Sequence, residues 1–269
     1  MQKNTANKKN ELKPIYKPYL KGNAFSGTAL KRSLRVMGVL AIFVFACVLA
    51  GGILSFNQSV LRLIINGLLV FFGCALLFNE GSNQGEGDVS FAEIALNRQN
   101  EGKEVTKEDR DVCYHPLKGF VTALAAILPF LIITVVYACI AHRQAYALGA
   151  LPSWVEGYEN QAEIGQALAY YHEAPALTIE DTLRVVVRFA LFPFMNMLGT
   201  SYDRLYLLDK LSPLLCLIIP LFYALGYLRG PHLRALVHGN IRMARRRQNR
   251  NVRKAREQRR RQAEKKELI

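Results

Sequence analysis

Acidic residues are missing where an ion-coupled machine would need them: none of the apolar runs in the chain contains an Asp or Glu. That absence argues against a proton-coupled pump and against a two-carboxylate intramembrane protease, both of which place ionisable groups inside their spans. Tryptophan occurs once, at Trp154, and histidine five times. The five cysteines make no disulfide framework, because Cys47, Cys74, Cys139 and Cys216 fall inside apolar runs, where cysteine behaves as a small apolar side chain. Cys113 and His115 are too few for a zinc site. The glycine-rich stretch 81–87 lacks the Lys-Ser/Thr ending of a phosphate loop and reads as a flexible lead-in. No cleavable leader is expected, since the first apolar run is longer than a signal core of roughly 7–15 residues. No catalytic, metal-binding or cofactor-binding set emerges, so a non-enzymatic reading is preferred.

What is present is charge at the ends and apolar length between them. The first 35 residues hold nine Lys/Arg against Glu11, and the last 39 hold fourteen against three Glu. Everything between nets −5, so the overall +14 resides in the two ends. A bilayer core of about 30 Å takes roughly 20 helical residues. The runs 36–56, 60–78, 120–141 and 211–228 have that length, within tolerance. The class expected is all-α, a polytopic helical membrane protein.

The positive-inside rule places residues 1–35 in the cytosol, because Lys31, Arg32 and Arg35 immediately precede the first run. The basic residues 229–269 belong on the same side, which requires an even number of spans. A fifth apolar run, 183–199, is the one to demote. Arg184 and Arg188 lie within it and Pro193 interrupts it, leaving an uncharged stretch too short to cross. Four transmembrane helices plus one re-entrant or interfacial helix are therefore predicted, five spans being the alternative. The order is a basic arm (1–35), a transmembrane hairpin (36–78), a cytosolic helical hairpin (79–118), span 3 (119–141), an outer loop (142–210) carrying the short helix, span 4 (211–228) and a basic tail (229–269). The acidic 142–181 segment suits the outer side.

Within the spans, Asn66 and Asn196 are the polar residues to examine, with Asn66 read as an interhelical hydrogen-bonding group. Arg62 is close enough to the outer surface to snorkel outward. Small residues four apart, Ala46 and Ala50, Cys47 and Gly51, suit close helix packing. Pro129, Pro213 and Pro220 should free backbone carbonyls. In the 79–118 loop, Ser90-x-x-Glu93 and Thr106-x-x-Asp109 have capping-box spacing. A second helix is expected at 160–171, and His172, Glu173 and Asp181 are read as surface groups.

Arg184 and Arg188, four apart, could contact an anionic lipid headgroup. In the tail, the segment from Leu233 to Ala244 has helical apolar periodicity and reads as an amphipathic helix lying on the inner leaflet. Beyond it, Arg245, Arg246, Arg247, Arg250, Arg253, Arg259, Arg260 and Arg261 leave no apolar face. The partners expected are anionic inner-leaflet lipid, RNA or the ribosome through this tail, and a protein partner or a second copy of the chain. The compact loops and basic ends suggest a prokaryotic plasma-membrane protein. The function expected is a membrane scaffold or accessory subunit, with a small oligomeric channel or permease next and a lipid-processing enzyme third.

Overall fold

The computed structural model describes residues 14–54, 58–142, 158, 161, 178–199 and 201–267, with side chains at 52–54, 202 and 260–267 outside the description. The expected helix at 160–171 and the residues Trp154, His172 and Glu173 lie outside it. Among the described residues there are eight helices and no strand: α1 (Gly27–Leu54), α2 (Ser59–Asn100), α3 (Lys107–Val112), α4 (Lys118–Ile140), α5 (Ile179–Ala190), α6 (Phe192–Leu198), α7 (Tyr202–Leu228) and α8 (Gly230–Glu267). Four of them, α1, α2, α4 and α7, are long and apolar enough to cross a membrane. The protein is an all-α polytopic membrane protein.

The 183–199 run does not make a fifth span. It forms α5 and α6, of 12 and 7 residues, separated at Leu191 just ahead of Pro193. Twelve helical residues reach only about 18 Å, and Thr178 opens α5 with a capping box to Asp181.

Two features differ from the sequence-based expectation. First, α2 does not stop at Phe78 but runs on through the glycines to Asn100, 42 residues in all. Gly81, Gly85 and Gly87 are helical, so no flexible lead-in exists, and Ser90 lies mid-helix and opens nothing. The helix ends at Gly102, whose φ of 77° is the left-handed conformation that favours glycine. Gly102 N–H donates to Gln99 O and Lys103 N–H to Arg98 O, the paired bonds of a Schellman cap. Second, α7 begins at Tyr202, ahead of the apolar run 211–228, so the helix that carries this run also carries Asp203 and Asp209 before it. The Thr106 capping box is present as read, opening α3.

The chain divides into two compact units. One comprises Met1–Ala29, Phe78–Val121 and Tyr223–Ile269; the other comprises Leu30–Leu77 and Thr122–Phe222. We call the first the head and the second the bundle.

In the bundle, α5 and α6 lie as a strap that touches all four spans in turn. At the start of α5, Glu180 accepts from the backbone N–H of His142, just past the end of α4. Arg188 then bonds Asp209 of α7. The Phe192 ring fills the space a Cβ would need at Gly51 of α1. Asn196 donates to Asn66 of α2 at 3.2 Å, and Gly199 abuts the Arg62 guanidinium. The apolar centre beneath this strap joins Val187 and Leu191 to Ile127 and Tyr137 of α4 and to Leu208 and Cys216 of α7.

Candidate functional site

The head is organised around one buried lysine. Lys118 opens α4, and its ammonium is out of solvent, 3.3 Å from Asp88 of α2. It also donates to the carbonyls of Asp111, Val112 and Cys113 at 2.7–3.2 Å, closing the C-terminal end of α3. Those are the groups that a helix end leaves without intrahelical partners. Asp88 in turn accepts from the Tyr227 hydroxyl at 2.6 Å. A charge buried this deeply is tolerated only when paired and hydrogen-bonded, and both conditions hold.

Around this hub the packing is aromatic and very close. Tyr227 stacks on Tyr114 with centroids 5.2 Å apart, and Tyr19 meets Tyr114 edge-on. Burial, with Tyr19 adding to it, pushes the Tyr114 phenol up to about 12. Gly85 of α2 lies against Gly230 at the start of α8, Gly81 against the backbone of Tyr223 and Tyr227, and Gly226 against that of Phe78, so at each the backbone of the opposite helix occupies the place of a Cβ. Small residues four apart on each helix thus let the two backbones touch. The amino-terminal segment is tied to α8, α2 and the residues after α3 in turn: Ile15 N–H donates to Ala235 O, Leu20 N–H to Ala92 O and Gly22 N–H to Tyr114 O.

A second polar cluster fixes the base of α8. Arg234 donates to Glu93 at 3.1 Å and to Glu86 at 3.0 Å, and His238 Nε2 lies 2.8 Å from Glu93. Burial alone would lower the Arg234 pKa, but its bonds to Glu93 and Glu86 hold it above the ordinary value. The apolar residues Leu233, Leu236 and Val237 are half-buried, and Ala235 is buried. The base of α8 therefore packs beside α2 with only part of its apolar surface open. From Ala244 to Arg259 every residue is exposed. Arg245, Arg246, Arg247, Arg250, Arg253 and Arg259 belong to this free segment; Arg260 and Arg261 continue its helix, their side chains outside the description.

In the bundle both arginines of α5 meet carboxylates. Arg188 forks onto Asp209, Nε to Oδ1 at 3.1 Å and Nη2 to Oδ2 at 2.6 Å, with Asp209 buried. Arg184 bonds both Glu180 and Asp181 of its own helix, at 2.8 Å to the latter. Burial opposes ionisation of Glu180, yet the bonds from His142 and the nearby Arg184 hold its carboxyl below the usual range. Both arginines suggested as headgroup contacts are thus engaged by carboxylates of the protein. Asn66 is buried, donating to Arg62 O at 2.8 Å and accepting from Asn196. Arg62 does not extend freely toward solvent; its guanidinium packs on Gly199 with a buried Nε that has no hydrogen-bond partner. Pro213 cannot return a bond to the carbonyl of Asp209, and Ser212 Oγ does so at 2.8 Å. Lys210 caps the end of α4 through Ala138 O at 2.8 Å.

An apolar groove of about 700 Å³ opens in the bundle, lined by Met37, Phe43, Ala126, Phe130, Leu191 and Ile219 among others. Among the described residues no group of three His, Cys, Asp or Glu could hold a metal ion. The sequence reading missed Asp88, Lys118, Tyr227, Glu93, Arg234, His238 and Asp209. Only the glycine spacing at 81/85 and 226/230 pointed toward the first three. No protein-family model, curated protein or solved structure matches the chain.

Proposed function

We propose that the protein is a membrane scaffold or accessory subunit that holds a basic helix rigidly at the cytosolic face of a prokaryotic plasma membrane. The observation that carries this reading is the contrast within α8. Its base is clamped by Glu86 and Glu93, whereas the segment from Ala244 to Arg259 is exposed on all sides. A helix that is polar all round gains nothing from packing on its own protein and serves a surface elsewhere. The polar clusters in head and bundle work inward: they close helix ends, satisfy carbonyls freed by proline and pair buried charges. Residues engaged in this way lock elements together, which is what a platform requires.

Both basic ends lie in the cytosol in this scheme, and α5–α6 sits at the outer ends of the four spans as a brace. Flanking Lys and Arg also contact the anionic inner leaflet, each contributing about 1 kcal/mol near the surface. The test is purification of the intact protein in mild detergent, with mass-spectrometric identification of what accompanies it. A defined, stoichiometric companion is expected. An isolated protein that conducts ions in liposomes contradicts the reading and favours a channel.

A further inference from the structure

We infer that the distal half of α8, from Ala244 onward, is a docking rod for folded RNA and not an anchor lying on lipid. This rests on the cytosolic scaffold reading and names its partner. Three observations carry it.

The first is direction. Along the head, Gly81 meets Tyr223, Gly85 meets Tyr227 and Gly230, and Glu93 meets Arg234 and His238. The numbers rise together along both helical paths, so the α7–α8 path runs parallel to α2 as α2 leaves its apolar segment. Only Arg229 separates α7 from α8, and Leu233 N–H bonds Arg229 O across the junction. A helix turning to lie along a leaflet at Leu228 would lose this parallel register. The half-buried Leu233, Leu236 and Val237 are moreover partly spent inside the head.

The second is reach and charge. Ala244 to Glu267 is 24 helical residues, about 36 Å at about 1.5 Å each. It carries nine Arg and three Lys against three Glu, distributed round the whole helix. Its one large apolar side chain is Val252, which is exposed. A helix on a membrane needs an apolar face to bury, and a flat leaflet neutralises one side only. A folded polyanion can engage several sides at once.

The third is residue type. The segment has no aromatic side chain, so base stacking must come from guanidinium planes, and arginine outnumbers lysine three to one. Arginine forks onto phosphate and stacks on unpaired bases. Loops and bulges of folded RNA display such bases, and arginine-rich segments are among their recognised partners. Regular duplex DNA keeps its bases stacked.

The full-length protein in phosphatidylcholine nanodiscs tests this, titrated against a fluorescent bulged RNA hairpin, a duplex DNA of matched sequence and vesicles containing phosphatidylglycerol. RNA should bind most tightly, with affinity falling about a thousandfold between 50 and 200 mM salt. The exposed-site variant R245Q/R246Q/R247Q/R250Q/R253Q should lose most of the binding and flatten the log–log salt slope by about 0.7 per arginine removed. Equal binding to duplex DNA, association with anionic vesicles alone, or RNA binding unchanged in the variant would each overturn the inference. The assay is indifferent to which side of the membrane the rod faces, so its failure leaves the scaffold reading to its own co-purification test.

Discussion

Lys118 and Asp88 form an ion pair of 3.3 Å in which neither side chain meets solvent, and each has further hydrogen bonds that complete its shell. The pair joins the start of α4 to the extension of α2 and, through Tyr227, to the end of α7. Replacing Lys118 with Met should leave Asp88 buried and uncompensated, costing about 3–5 kcal/mol. D88N should cost less in the K118M background than in the wild type, because a neutral amide removes the stranded charge. Thermal unfolding of the four proteins in one detergent measures the coupling.

Two neighbouring glycines should respond oppositely to the same change. At Gly85 a Cβ would collide with the backbone of Tyr227 and Gly230, whereas at Gly87 nothing lies within 4 Å. Gly85→Ala should force α2 and α8 apart and lower the melting temperature. Gly87→Ala should raise stability by up to about 1 kcal/mol, the helix-propensity difference. If both substitutions stabilise, the helices do not pack through these glycines.

Tyr114 gives the head an alkaline limit. Its phenol ionises near 10 in the open chain and near 12 when folded, because burial disfavours the charged form. The folded state thus prefers the protonated phenol. Its contribution is complete below about pH 10 and is lost as pH rises through about 12. Melting temperature should fall between those values, and Tyr114→Phe should lessen the fall. An identical alkaline profile in the variant would assign the loss to other groups.

The strap should depend on the Arg188–Asp209 fork, since Asp209 is 1 % exposed and lies within a spanning helix. Arg188→Met should destabilise the bundle by about 3–5 kcal/mol. Asn196→Ala should cost only about 1 kcal/mol, the worth of an interhelical hydrogen bond in a membrane. Comparable losses from the two would mean that the fork contributes no more than a neutral bond.

Hydropathy and proline placement made the four spans and the short 183–199 element legible. The Thr106 cap was legible too, because its spacing and the following polar turn are local. The continuity of α2 was not. Glycine at 81, 85 and 87 signals flexibility in isolation, and only the close approach of the Tyr223–Gly230 backbone to Gly81 and Gly85 turns that weakness into contact. Ser90-x-x-Glu93 has the same spacing as a true cap, but Glu93 is committed to Arg234 and His238. Asp209 escaped notice because its helix begins at Tyr202, before the apolar run that defined span 4. Ion pairs between residues separated by 21 to 148 positions leave no local trace.

The sidedness of the two basic ends is the central claim, and labelling of introduced cysteines tests it most directly. In a background with the exposed Cys139 replaced, Ser153→Cys and Gln262→Cys are treated in intact cells with a membrane-impermeant maleimide. Four spans with cytosolic ends require reaction at position 153 in intact cells and at 262 only after lysis. Reaction of both positions from outside would contradict the four-span topology and remove the rod from the cytosol.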